Sequence, residues 1–222
     1  MNKHGFPGLF IAFEGLDGSG SSTQVDLLTK KLNKLGYFAF DTKEPTNNLI
    51  GGLIRGALTQ DWKASPECLQ LLFAADRAHH LQREIVPSLE KGNIIISDRY
   101  YYSSIALGSV GCERKWLAEI NGQFISPDIV FLIKVKPSEC INRIARSRNE
   151  FELFEEEKKL GIAWDTYAWL HRRRKDPIVL IDGERKIEQI EMDIWAYLQK
   201  VLESKGSLRL RKKQSAAIAV SK

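Results

Sequence analysis

The chain has 222 residues, of which 43% are apolar, 27% charged and 9% aromatic. Such a composition supports one compact domain with a sizeable core and argues against a disordered, collagenous or disulfide-stapled chain. The formal charge of +5 is concentrated after Ser204, where six basic residues and no acidic ones follow, so a body near −1 argues against a basic nucleic-acid-binding domain.

The opening MNKHGFPGLFIAFEG lacks the long apolar core of a signal peptide, because its apolar stretch ends at Glu14. Leu9 to Phe13, between Pro-Gly and a Gly-rich stretch, is predicted to be a strand buried on both faces. Val25, Leu28, Leu32 and Leu35 then recur at helical spacing, with Gly36 as the expected C-cap. Tyr37 to Phe40 is the second predicted strand. Ser65-Pro66-Glu67 starts a long helix that runs to about Lys91, stops at Gly92 and is perturbed near its end by Pro87. Asn93 to Ser97 and Ile129 to Val135 are the third and fourth strands, and Pro137 opens a further helix. Ile178 to Ile181 is the fifth strand, and a last helix spans about Lys186 to Leu202. Strands alternating with helices imply parallel pairing through right-handed crossovers, hence a three-layer α/β domain with a five-stranded parallel sheet flanked by helices. The expected domain covers 1–203, and 204–222 is expected to be a flexible basic tail. Cys68, Cys112 and Cys140, far apart and without a CxxC pair, read as buried free thiols. No apolar run approaches the roughly 20 residues of a membrane span, and a cytoplasmic chain with neither membrane nor specific nucleic-acid partners is expected.

After the first strand comes Gly15-Leu16-Asp17-Gly18-Ser19-Gly20-Ser21-Ser22-Thr23, which fits the GxxxxG-x-[ST] spacing of a P-loop in its strand-to-helix setting. Glycines let successive amides turn inward around phosphate oxygens, and the helix N-terminus adds its positive end. Ser22 takes the slot whose hydroxyl ligates Mg²⁺. The slot that usually holds a lysine bridging the β- and γ-phosphates holds Ser21, which supplies a hydroxyl but no charge.

Four further segments accompany the loop. Glu44-Pro45-Thr46 follows the second strand and leads toward Arg55, and the long helix carries Leu71-Leu72-Phe73-Ala74-Ala75-Asp76-Arg77. The third strand runs into Asp98-Arg99-Tyr100 and then Ser103-Ser104, while Pro127-Asp128 precedes the fourth strand. With EGLDGSG, LLFAADR and SDRYYYSS in this order, the chain resembles the thymidylate kinase family of nucleoside monophosphate kinases over roughly residues 9 to 202.

The resemblance implies a P-loop NTPase fold with a small helical lid at about 143–156. It also implies ATP- and Mg²⁺-dependent phosphorylation of dTMP to dTDP, in dTTP synthesis, by a homodimer. The loop from Gly15 to Thr23 would bind ATP, and Ser22 and Asp98 would organise the metal ion. Arg99 and Arg55 would hold the acceptor phosphate, and Asp17 the 3′-hydroxyl of the deoxyribose. Phe73 would stack on the thymine ring while Arg77, at i+4 on the same helix face, bonds a base carbonyl. Tyr100 would crowd the 2′ position, and Glu44, Pro45 and Ser104 would line the acceptor site. Gly18 stands where other members carry a loop arginine, which implies that Arg146 and Arg148, in the lid beside Arg143, supply the catalytic charge. Two departures weaken the match: Leu153 takes a frequent lid-arginine slot, and Ala106-Leu107-Gly108 lacks a base-reading glutamine. Two alternatives therefore stand beside the dTMP reading. One is a kinase for another nucleotide or nucleoside, and the other a nucleotide-binding protein with weak catalysis because of Ser21. The four histidines show no metal spacing, and Trp164, Tyr167 and Trp169 read as core or dimer packing.

Overall fold

A computed structural model describes residues 2–145, 151–173, 177–205, 208 and 210. After a short strand β1 (Asn2–Lys3), the apolar run forms β2 (Leu9–Gly15), followed by α1 (Ser21–Lys34) and β3 (Ala39–Lys43). Next come α2 (Leu49–Leu58), α3 (Pro66–His80), a π-helical turn (Leu81–Ile85), α4 (Val86–Glu90) and β4 (Ile94–Asp98). Then α5 (Tyr101–Gly108), α6 (Arg114–Asn121), β5 (Ile125–Ser126) and β6 (Ile129–Lys134) follow. The chain continues through α7 (Pro137–Ala145), α8 (Phe151–Arg172), β7 (Ile178–Asp182) and α9 (Ile187–Ser204).

The long strands form one parallel sheet in the order β3-β4-β2-β6-β7, and β1 pairs separately with β5. Every residue of the central β2 is buried. Successive side chains of a strand point to opposite faces, so helices must cover both sides of the sheet. On β2, β3 and β4 lies α1, which also packs on α9; α5 packs on β2 and gathers α3, α6 and α8 around it. Tyr100, Tyr101 and Tyr102 are all buried, with consecutive ring centroids 4.7 and 4.3 Å apart, so this segment is core as well as site.

The structure shifts the second strand from Tyr37–Phe40 to Ala39–Lys43. As an edge strand it is held by backbone pairing to β4, while Phe40, Asp41 and Lys43 are exposed, so its polar half carries no apolar signal. The long helix starts as expected: Ser65 Oγ accepts from Cys68 N at 3.2 Å, and Pro66 follows. Its last part passes through the π turn immediately before Pro87. A proline has no N–H for the i−4 carbonyl and crowds it, and a π turn is one way a helix absorbs that. Of the thiols, Cys140 is buried, Cys112 half-buried and Cys68 exposed, so the buried reading fails at Cys68, which sits in the first turn of α3. At the start of the predicted tail, Lys205 Nζ donates to Gly8 O at 2.6 Å and pairs with Asp128 at 3.1 Å. Leu210 forms an antiparallel bridge with Tyr37.

Candidate active site

Strand register brings the distant motifs together. Phe13 and Lys43 are both partners of Asp98 in the sheet. Arg99 N donates to Phe13 O at 2.9 Å, and Glu44 N donates to Asp98 O at 3.1 Å. The loop after β2, the Asp98-Arg99 corner after β4 and the Glu44–Thr46 segment after β3 thus meet at the carboxyl edge of the sheet. The central β2 is flanked by β4 and β6, so this is a switch point of the kind where α/β folds bind ligands.

In the loop, Gly18 (φ 80) and Gly20 (φ 92) adopt left-handed backbone that other residues rarely take. A Cβ on Gly18 would also lie 2.7 Å from the Cys140 carbonyl oxygen of α7. Gly20 offers no side-chain cap to α1, and the first turn of α1 carries no acidic residue. Uncapped amides at the positive end of a helix suit an anion such as a phosphate. Ser21, buried, donates through Oγ to Asp98 Oδ1 at 2.9 Å, and Ser22 Oγ donates to Asp98 Oδ2. A hydroxyl and a carboxylate in contact, opening on a polar cleft of about 530 Å³, are hard oxygen donors that fit Mg²⁺ held mainly by phosphates and water. Among the described residues no cluster of three or more His, Cys, Asp or Glu forms a protein-only metal cage. Arg143 approaches the loop from α7: Nη1 donates to Ser19 O at 3.5 Å, Nη2 to Gly183 O at 3.1 Å, and Nε to Glu139 at 2.9 Å.

Arg99 is the junction. It is a non-glycine residue at φ 72, a strained conformation that the neighbouring bonds hold. Nη1 donates to Gly15 O at 3.0 Å and to Ser103 Oγ at 2.9 Å, and Nη2 meets Asp17 Oδ1 at 2.8 Å. Burial works against its charge, but Asp17, Tyr167, Glu14 and Asp98 around it raise its pKa above the usual guanidinium value. Beneath it, Glu14 is fully buried and accepts from Tyr100 N at 2.9 Å, from Tyr167 OH at 3.0 Å and from Ser103 Oγ. Burial pushes this carboxyl up to about 7 from 4.5, although Ser103, Arg99, Tyr167 and the Tyr100 N–H pull the other way.

On the other side of Arg99 lies a cavity of about 350 Å³, bordered by Asp17, Pro45, Phe73, Arg77, Tyr100 and Ser104 among others. Phe73 is half-buried there rather than sealed in the core. Arg77 is 1% exposed; Nε donates to Glu44 Oε2 at 2.8 Å, Nη2 to Ser104 Oγ at 2.9 Å, and Nη1 to Asn121 Oδ1. The second guanidinium contact to Glu44, from Nη2 at 2.7 Å, makes this a buried ion pair with its hydrogen bonds filled, the arrangement in which burying charge is tolerable. Tyr100 is buried with its OH donating to Ile125 O at 3.0 Å. Arg55 donates to Thr46 O, and Thr46 is in turn held by Asp76 through bonds of 2.7 and 2.6 Å.

Thus Asp17, Glu44, Pro45, Phe73, Arg77, Arg99, Tyr100 and Ser104 share one cavity wall, while Arg55 does not border it and donates instead to the carbonyl of Thr46, a residue of the larger polar cleft. Arg146 and Arg148 lie outside the described residues, as do the side chains of 151–156 in the predicted lid. Sequence reasoning passed over Glu14, Gln70 and Asn121, and read Tyr167 as packing, which its burial in the core bears out, without its bonds to Glu14 and Ser103. For Glu14 a signal existed: a charge inside a strand buried on both faces must have a buried partner.

Among known proteins, the family model described as thymidylate kinase matches residues 13–194. The chain is 38% identical over 207 residues to the "Probable thymidylate kinase" of Thermococcus kodakarensis, covering 87% of this chain and 98% of that one. It is 36% identical over 197 residues to the protein of the same name from Pyrobaculum aerophilum, covering 88% and 99%. With that of Sulfurisphaera tokodaii it shares 38% identity over 182 residues, covering 82% and 90%.

Proposed function

This chain belongs to the thymidylate kinase family of nucleoside monophosphate kinases, and from that premise we propose that it transfers the γ-phosphoryl group of ATP to dTMP, yielding ADP and dTDP. One observation carries the reading above the others. The Arg99 guanidinium touches the Gly15 carbonyl and Asp17 of the phosphate loop and also borders the cavity that holds Phe73 and Arg77. A single cation thereby faces both a donor site and an acceptor site.

In the proposed reaction an oxygen of the acceptor phosphate attacks the γ-phosphorus as the bond to the β–γ bridging oxygen breaks, and ADP leaves with that electron pair. No protein nucleophile is needed; positioning and electrostatics supply the rate. The loop amides from Gly15 to Thr23 and the α1 N-terminus grip the triphosphate. Ser22 and Asp98 would hold Mg²⁺, which when bound neutralises charge on the β- and γ-phosphates. Arg99 and Arg55 hold the acceptor phosphate, and Asp17 takes the 3′-hydroxyl. Phe73 stacks on the base. Arg77 has five N–H groups, of which four are spent on Glu44, Ser104 and Asn121, leaving one Nη1 hydrogen for a base carbonyl. Tyr100 limits space at the 2′ position, and Glu44, Pro45 and Ser104 complete the acceptor wall. Arg146 and Arg148, in a lid over about 143–156, stabilise the transferred group and exclude water on closure.

The proposal extends to a single domain over 1–203 with a basic tail, acting in the cytoplasm as a homodimer. Exposed Leu49, Leu53 and Leu71 on the mutually packed α2 and α3 give such a dimer apolar surface to bury. Among the described residues no helix is long and apolar enough to cross a membrane. The test is ADP release with dTMP, dUMP, dCMP and dGMP as acceptors; dTMP should be preferred, and no turnover with any of them would refute the reading. A second reading, a nucleotide-binding chain with weak catalysis, is favoured by Ser21, whose neutral hydroxyl is already engaged by Asp98. Tight ATP and dTMP binding without turnover would favour it.

A further inference from the structure

Gln70 lies on α3 three residues before Phe73 and seven before Arg77, which places the three on one helix face. It borders the same cavity of about 350 Å³. The residue is 8% exposed, and its Oε1 is buried and accepts no hydrogen bond among the described residues. Buried side-chain oxygens are nearly always satisfied, because an unpaired one forfeits its solvation without return. Space for the carboxamide comes from Gly108 at the end of α5. A Cβ there would meet Gln70 Cδ at 2.8 Å, Oε1 at 2.9 Å and Nε2 at 3.1 Å.

A guanidinium can only donate, whereas a carboxamide oxygen can only accept. Arg77 therefore offers a donor to a ligand in the cavity, and Gln70, whose Oε1 is closed off as the side chain stands, offers its unused acceptor on a turn of the carboxamide. Thymine and uracil present the matching edge, a carbonyl next to a ring N–H. Cytosine presents the reverse at those atoms, an amino group next to a bare ring nitrogen. We infer that Gln70 is a specificity-determining residue of the acceptor site, its Oε1 accepting the N3–H of the pyrimidine while Arg77 donates to the adjacent carbonyl. This rests on the dTMP kinase reading and adds to it the residue that reads the ring N–H.

The experiment compares kcat/KM for dTMP and N3-methyl-dTMP, which lacks that hydrogen, in the wild type, Gln70→Leu, Gly108→Ala and the double variant. The wild type should prefer dTMP, and Gln70→Leu should shrink the preference by roughly tenfold, through KM for dTMP with kcat retained. Gly108→Ala should shrink it by displacing the carboxamide, and should add nothing in the Gln70→Leu background. If Gln70→Leu does not fold, Gln70→Met of matching length takes its place. A preference unchanged in the Gln70 variant, or a loss in kcat alone for both substrates, overturns the assignment and leaves the kinase reading intact. Failure of the wild type to turn over dTMP overturns both.

Discussion

Replacing Glu14 by glutamine should remove most of one pH dependence of folding stability. Glu14 is fully buried, and its carboxyl titrates near 7 in the folded chain against 4.5 as the ordinary value. Between those pH values the folded state holds a proton that the unfolded state has released, so this group's contribution to stability falls as pH rises. The contribution is complete below pH 4.5 and is lost as pH climbs through 7. A displacement of that size corresponds to about 3 kcal/mol, at roughly 1.4 kcal/mol per pH unit. Glutamine cannot ionise, so the variant lacks this slope. Its Oε1 can keep the Tyr100 N–H bond while its NH2 turns to the Ser103 and Tyr167 hydroxyls, which can accept, so any remaining change is a constant offset and the slope comparison stays clean. Urea unfolding of both proteins from pH 5 to pH 8 measures the effect, because every other titrating group cancels in the difference. The wild type should lose roughly 2–3 kcal/mol relative to the variant across that range, which is on the order of 1 M in urea midpoint. Parallel stability curves would show that Glu14 ionises freely in the folded chain and that its burial is not the controlling cost.

Arg99→Ala should lower kcat by about 10³-fold or more, while calorimetry records a melting temperature only a few degrees lower; comparable losses of both would mean a structural role. Asp98→Asn should raise the Mg²⁺ concentration for half-maximal activity about tenfold or more, and an unchanged Mg²⁺ profile would remove Asp98 from the metal site. Ser21→Lys should raise turnover with ATP by restoring a charge beside the β- and γ-phosphates. A fall in turnover would mean that another cation, with Arg143 at the loop the leading candidate, already fills that space.

The sheet was legible wherever burial was two-sided. β2, β4 and β6 are continuous apolar runs because helices cover both their faces. β3 was misplaced because an edge strand is defined by backbone pairing, and Asp41-Thr42-Lys43 pairs with Ile96-Ser97-Asp98 whatever its side chains are. At the site, Asp17, Asp98, Arg99 and the loop glycines could be read because the motif compresses them into two short stretches at strand ends. Gln70, Asn121 and Tyr167 could not. Each is an ordinary helix residue in sequence, and what distinguishes it is a partner far along the chain: Gly108 for Gln70, Arg77 for Asn121 and Glu14 for Tyr167.

Gly18 limits the routes by which this chain could change. Its backbone angle and the Cys140 carbonyl 2.7 Å from its missing Cβ shut out every side chain while α7 stays where it is. An arginine grafted onto the loop would first have to unseat the helix that carries Arg143. Moving a cation onto the loop is therefore a two-step rebuilding, in which the first substitution alone is a loss.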